Sequence, residues 1–191
     1  MATKREQMIE TTRELLELQG YTATGLNQIL QESGAPRGSL YYYFPEGKDE
    51  LIAEAIDRTG VQVEERIRHH LGCGGPAAEA IPAFIVTLAR GLEGSGFRFG
   101  SITAVAYEAA TKSERINGAC QAAYERWTEA FACKLRESDP CPERADRIAA
   151  MIVSSLEGAI VLSRTRRSTL PMEQVAREIG LLIRCGGGER T

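Results

Sequence analysis

The sequence predicts an all-α fold of about nine helices, an N-terminal three-helix domain followed by a helical bundle. Apolar residues recur at spacings of three and four almost throughout, the period of one helix face. Strand signals are nearly absent, because β-branched residues rarely alternate with polar ones. Breakers at Gly72-Cys73-Gly74-Gly75-Pro76, Gly94-Ser95-Gly96 and Asp139-Pro140-Cys141-Pro142 cut the pattern into helix-length pieces.

A first helix fits residues 4–19, with Met8, Thr12, Leu15 and Leu16 on one face and Gly20 as its stop. Thr24 offers an N-cap for a short helix carrying Leu26, Ile29 and Leu30, which ends at Ser33-Gly34. Pro36 can open a third helix through Tyr43, since proline's missing N–H costs nothing in a first turn. A long helix then runs from about Gly47 to Leu71, with Ile52, Ile56, Val63 and Ile67 tracing one stripe despite Gly60. Further helices fit 77–93, 101–111, 113–137, 143–166 and 171–184, and the tail Gly186-Gly187-Gly188 reads as disordered. The expected division is a reading domain over residues 1–48 and a sensing and dimerisation domain over 49–191.

The chain has 191 residues, 43% hydrophobic and 26% charged, which places it among ordinary globular proteins of one or two domains. No apolar run is expected to reach the roughly 20 residues of a membrane span. The N-terminus turns acidic where a signal peptide would become apolar, so a cytoplasmic protein without a membrane partner is expected. Five cysteines at irregular spacing, without C-x-x-C, suit free thiols better than a disulfide framework. The formal net charge is −3, and residues 1–50 hold five Lys/Arg against eight Asp/Glu, so composition does not advertise nucleic-acid binding. Any such footprint has to be a local patch, reinforced by a second copy.

Such a patch is available at residues 24–43, two short helices joined by a tight turn, as in a helix-turn-helix. Ile29 and Leu40 can pack the helices together and Gly34 can supply the positive-φ turn. The other face of the third helix carries Arg37, Ser39, Tyr41 and Tyr42, donors suited to phosphates and base edges. Lys48 stands at the start of the long helix, where free N–H groups favour a phosphate. Spacing alone leaves the role of Tyr41-Tyr42-Tyr43-Phe44 open between aromatic core and binding surface, although four consecutive helical residues cannot all face inward.

The stretch GYTATGLNQILQESGAPRGSLYYYFPEGKDEL, residues 20–51, resembles the DNA-binding signature of the tetracycline-repressor family. The pieces GLNQIL and PRGSLYYYFP-x-GK are similar to the subgroup around the lincomycin-resistance repressor, whose members regulate multidrug-efflux or related genes. In the commoner family pattern the gap between the last aromatic and the lysine is one residue shorter than Pro45-Glu46-Gly47. The resemblance implies DNA contacts at Thr24, Arg37, Gly38, Ser39, Tyr41, Tyr42 and Lys48, with Tyr43 and Phe44 in the core. A looser likeness continues at AYEAA around Tyr107 and AYERW around Tyr124.

The same resemblance implies a C-terminal bundle that encloses a small effector and pairs its last two helices with those of a second subunit. Consistent with that plan, the helix at 143–166 is apolar on more than one face and the last helix adds a further stripe. The expected dimer interface is Leu156, Ile160, Val175, Ile179 and Leu182. Ile116, Cys120, Tyr124, Trp127 and Phe131 fall on one face of the 113–137 helix, a stripe that suits core and cavity wall equally. As cavity wall, Cys120, Tyr124 and Trp127 would be joined by Phe84, Leu88, Ile102, Tyr107 and Met151 around an apolar or aromatic effector.

No cofactor or metal is expected: adjacent His69 and His70 point about 100° apart on a helix, and no third ligand has convincing spacing. Nor is an enzyme expected, for lack of a nucleophile, base and orienter at motif spacing, a P-loop or a dinucleotide fingerprint. The expected partners are double-stranded operator DNA, a small effector and a second copy of the chain. A helical scaffold that reads no DNA is the rival reading.

Overall fold

A computed structural model describes residues 3–98, 102–109, 112–137 and 141–185. The described residues form nine helices and no strand. These are α1 (Lys4–Ala23), α2 (Leu26–Glu32), α3 (Ser39–Tyr43), α4 (Lys48–Cys73), α5 (Ala77–Gly94), α6 (Thr103–Ala109), α7 (Glu114–Arg136), α8 (Pro142–Arg166) and α9 (Leu170–Cys185). The expected Gly186-Gly187-Gly188 tail, the Asp139-Pro140 separator and residues 101, 110 and 111 of an expected helix lie outside the described residues.

Packing divides the chain into two compact units, residues 1–61 with 100–123, and 62–99 with 124–191. The expected division at residue 48 coincides instead with the start of α4, and both α4 and α7 pass from one unit into the other.

In the first unit, α1 opens with a capping box: the Thr3 hydroxyl accepts from the Glu6 N–H while the Glu6 carboxylate accepts from the Thr3 N–H. Its inner stripe is Met8, Ile9, Thr12, Leu15 and Leu16, and the buried Thr12 hydroxyl donates to the Met8 carbonyl at 2.7 Å. Regular helix fails at Gly20, whose φ of 76° and ψ of −173° kink the chain where the sequence places a stop. Met8, Ile9, Ile29, Leu40, Phe44, Leu51 and Ile52 are all fully buried and form the core around α1 to α4. Further along α4, Gly60 lets α7 come close: a Cβ there would stand 2.9 Å from the Ala123 Cβ and 3.2 Å from its Cα.

In the second unit, α5 and α8 both pack on α9, and Phe84 of α5 stacks edge-on with Phe131 of α7 at 5.9 Å. Pro82 interrupts the hydrogen-bond ladder of α5, and Gly180 of α9 settles against it, a Cβ there falling 3.0 Å from Pro82 Cγ. α8 ends on Arg167 in the left-handed region (φ 49°), with the Ser168 N–H returning to the Ser163 carbonyl.

One expectation fails in α8. By length and composition it is the one described helix long and apolar enough to cross a membrane, with mean hydropathy 1.4 over its most apolar window. Its apolar content has a packing explanation, because Ile148, Ile152, Leu156 and Ile160 are buried and α9 covers it.

All five cysteines are free thiols. Cys120 is buried, and burial pushes its thiol up to about 11. Iodoacetamide at pH 8 should therefore modify exposed Cys73 in the native protein well before Cys120, which should react only after unfolding. Peptide mass mapping along a labelling time course checks this, and equal rates at the two thiols would contradict the burial.

Candidate nucleic-acid interface and sensor face

The reading element is built outward from Ile29 of α2 and Leu40 of α3, both fully buried. Between these helices Gly34 adopts φ 61°, and the Ser33 and Ala35 N–H groups close the turn onto the Ile29 and Leu30 carbonyls. Lys4, at the start of α1, donates to the Gly34 carbonyl at 3.2 Å and holds the turn from behind.

With Leu40 and Phe44 inside, α3 turns Tyr41 and Tyr42 outward, 64% and 78% exposed. The aromatic run therefore splits: Phe44 is core, Tyr43 is half-buried beneath an edge-on stack with Tyr42 at 4.8 Å, and the first two tyrosines face solvent. Arg37 is exposed just before α3, its Nη2 lying 3.4 Å from Asn27 Oδ1. Gly38 caps α3 with nothing within 4 Å of where its Cβ would be, so no neighbour within the chain requires a glycine there. Ser39 is half-buried.

Lys48 is also half-buried, its ammonium 4.7 Å from the centre of the Tyr21 ring. The Tyr21 hydroxyl in turn points at Asp49 Oδ1 across 3.4 Å. Burial, with the Asp49 charge adding to it, raises the pKa of this phenol.

Thr24 departs from expectation. Its hydroxyl is buried and donates to the Gly20 carbonyl at 2.6 Å, while Gly25 takes the N-cap position of α2. The kink at Gly20 leaves a carbonyl for this hydroxyl, so the side chain closes α1 and is not presented to a ligand. Sequence reasoning also overlooked Asn27 and Tyr21, which brace Arg37 and Lys48; nothing in their spacing marks them.

The acidic excess of residues 1–50 is partly taken up internally. Arg13 holds Glu10 and Glu17, Glu6 caps α1, and Glu46 pairs with Arg115 at the start of α7.

The expected effector-lining residues are drawn from both units. Ile102, Tyr107 and Cys120 belong to the first unit, and Phe84, Leu88, Tyr124, Trp127 and Met151 to the second. Ile102 borders a cavity of about 20 Å³ with Leu16, Ile56, Thr59 and Val105, space for a single water. Tyr107 is 88% exposed, because Val105 and Ala109 are the buried positions of α6 and Tyr107, two residues from each, falls on the opposite face. In the second unit, Phe84 and Trp127 are buried, Leu88 and Tyr124 are half-buried, and Tyr124 stacks edge-on with Trp127 at 5.3 Å. His70 packs edge-on to Phe84 at 5.5 Å and its Nδ1 approaches the Arg66 carbonyl at 3.0 Å.

Met151 is not inside the bundle. It lines an open groove of about 570 Å³ with Ser155, Val175, Leu181 and Leu182. Leu156, Ile160 and Ile179, expected at a dimer interface, are buried within the subunit, whereas Leu182 is exposed and Val175 half-buried. Of the expected stripe, Val175, Ile179 and Leu182 line this groove, and Leu156 and Ile160 do not. Leu156 and Ile160 continue the buried row of Ile148 and Ile152, and the large apolar side chains left exposed on α8 and α9 are Met151, Val161, Leu162, Leu170, Leu181 and Leu182.

Residues 8–55 match the family described as bacterial regulatory proteins, tetR family, and residues 77–178 match the LmrA/YxaF-like transcriptional regulator C-terminal domain. The HTH-type transcriptional regulator YxaF of Bacillus subtilis is 39% identical over 184 residues, 96% of each chain. LmrA of the same organism is 34% identical over 186 residues, covering 94% of this chain and 96% of that one. Among solved structures, Escherichia coli NemR in its reduced form superposes with TM-score 0.80 at 20% identity, covering 93% of this chain and 95% of NemR. A TetR regulator from Legionella pneumophila reaches TM-score 0.82 at 18% identity, covering 95% and 98%. These two share the fold. From a helix-turn-helix with an outward-facing recognition helix and relatives aligned over nearly their whole length, the chain belongs to the TetR family of DNA-binding transcriptional regulators, in the branch with an LmrA/YxaF-like C-terminal domain.

Proposed function

We propose that the protein is a repressor that binds a pseudo-palindromic operator as a homodimer and leaves it when a small apolar or aromatic effector binds the helical bundle. Residues 1–48 read DNA, residues 49–191 sense and dimerise, and the protein acts in the cytoplasm, beside the chromosome. The observation that carries the reading is α3: two exposed tyrosines and Arg37 stand over a fully buried Leu40 and Phe44. Large exposed aromatics are unfavourable in water unless something covers them, and phosphates and thymine methyls are suitable covers. The open space at Gly38 permits close backbone approach. Arg37, Gly38, Ser39, Tyr41, Tyr42 and Lys48 are the proposed DNA contacts.

Dimerisation supplies the second reading head, placed for the next major groove about 34 Å away. The proposed interface is the open apolar face of α8 and α9, where Met151 and Leu181 join Val175, Ile179 and Leu182, while Leu156 and Ile160 belong to the core. For the effector, the proposed seat is in the second unit, which holds the Tyr124–Trp127 stack and Phe84. An effector that prefers the non-reading arrangement lowers DNA affinity by the same factor that DNA lowers effector affinity.

Fluorescence anisotropy on the DNA upstream of the protein's own gene, beside a scrambled duplex at about 0.15 M salt, tests the reading. Specific binding should weaken about 10- to 100-fold in Arg37→Ala. Equal weak binding to both duplexes, with no operator recovered by genome-wide selection, would remove the repressor reading in favour of a scaffold.

A further inference from the structure

A carboxylate outside the helix-turn-helix grips the turn that leads into it. We propose that Glu108 of α6 is a positioning residue for DNA reading, latching the kink at the end of α1 and so fixing where the supporting helix α2 begins. This rests on the DNA-reading role of the family.

The geometry is specific on both sides of the contact. Glu108 Oε2 accepts from the Thr22 backbone N–H at 2.6 Å, just past the break in α1. Its other oxygen occupies the space a side chain at residue 20 would need: a Cβ there would lie 2.8 Å from Glu108 Oε1. Glycine at this position thus serves the positive φ of the kink and the close approach of the carboxylate together. The Thr22 hydroxyl and backbone N–H hold the Glu108 carboxyl below its usual range, so the group is anionic at neutral pH.

From the kink the connection continues into α2. The Thr24 hydroxyl bonds the Gly20 carbonyl at 2.6 Å, and Gln19 Nε2 donates to the Ala23 carbonyl at 3.0 Å and to Gln28 Oε1 of α2 at 2.8 Å. α2 then carries Ile29, which packs in the core with Leu40 of α3. The same stretch of chain grips the reading head a second time, through the ion pair between Arg115 and Glu46 in the turn between α3 and α4. α6 and the start of α7 therefore hold the helix-turn-helix before its first helix and after its second, and a displacement of α6 is felt at the entry to α2.

Charge makes the idea testable, because its predicted sign is opposite to that of simple electrostatics. Removing an acidic group near DNA should, by charge alone, tighten binding to any duplex. Losing a positioning group should weaken specific binding only. Glu108→Ala and Glu108→Gln remove the same charge, but glutamine keeps an oxygen able to accept from Thr22.

Full-length wild type and both variants would be compared by amide hydrogen exchange at Thr22 without DNA. They would also be compared by anisotropy on a duplex selected from genomic DNA with the wild-type protein, and on its scrambled counterpart. In Glu108→Ala, Thr22 protection and specific affinity should each fall about tenfold, with the slope of affinity against salt and the scrambled-duplex affinity unchanged or slightly raised. Glu108→Gln should recover most of both.

Unchanged Thr22 protection in Glu108→Ala would overturn the latch. Lost protection with wild-type specific affinity would overturn the positioning role, as would equal loss on both duplexes. If wild type selects no duplex, DNA reading itself fails and the positioning role with it, while Thr22 exchange still reports whether the latch exists.

Discussion

Phe44→Ala is expected to destabilise the first unit by about 3–5 kcal/mol, the cost of emptying a large, well-packed core site. Phe44 is fully buried, as are Leu40, Ile52 and Met8 of the first unit, and the Arg5 guanidinium stands 5.2 Å from its ring centre. Against a total of about 5–15 kcal/mol for a folded domain, such a loss leaves little margin. DNA binding should vanish with it, because α3 is fixed by what lies beneath it and Phe44 caps its C-terminal end. Thermal and urea unfolding followed by circular dichroism check this, with Phe44→Leu, which keeps most of the apolar volume, expected to lose clearly less. A Phe44→Ala protein with an unchanged melting curve would mean that α3 is anchored elsewhere.

Gly60→Val is expected to cost about 3 kcal/mol, at the upper end for overpacking. The atoms it would strike are the Cβ and Cα of Ala123, at 2.9 and 3.2 Å from the new Cβ, and a Cα cannot rotate away. α4 and α7 would have to separate. Gly60→Ala sets the same contact against a gain of about 1 kcal/mol in helix propensity, so its net effect is smaller. Adding Ala123→Gly to Gly60→Ala transfers the methyl from one helix to the other and should recover most of the loss. In a double-mutant cycle the two sites should therefore couple by about 1 kcal/mol or more; strict additivity would show that the helices do not meet here.

The fold was legible in the sequence because each helix carries its own punctuation. Gly20 and Gly34 mark kink and turn, and the structure gives both a positive φ, whereas Pro36 does not open the third helix: α3 begins three residues later at Ser39, behind an N-cap at Gly38. For the aromatic run, spacing left core and surface open and the family resemblance divided it: Tyr41 and Tyr42 are exposed and Phe44 is buried as that resemblance implied, while Tyr43 is half-buried.

What local pattern did not reveal is how apolar faces share their neighbours. Leu156 and Ile160 have the composition of an interface, yet only three-dimensional packing shows that the chain itself buries them while Met151 and Leu182 stay open. Thr24 has the chemistry of a helix cap, but a kink four residues earlier offers its hydroxyl a carbonyl first. The likeness of α8 to a membrane span has the same origin, because composition records how apolar a helix is and not what lies against it.

The notch where Gly180 meets Pro82 has a further consequence for α9. One helical turn along in either direction, the residues that would face Pro82 are Ala176 and Arg184, both bearing side chains where even a Cβ would be tight against the ring. A slide of α9 by one turn, about 5.4 Å, therefore brings a side chain tight against the Pro82 ring in either direction. The crossing acts as a keyed joint that sets the axial register of α9. Through it, Leu181 and Leu182 are set at one height on the surface, so the apolar face proposed for a second subunit takes its shape from packing inside the chain.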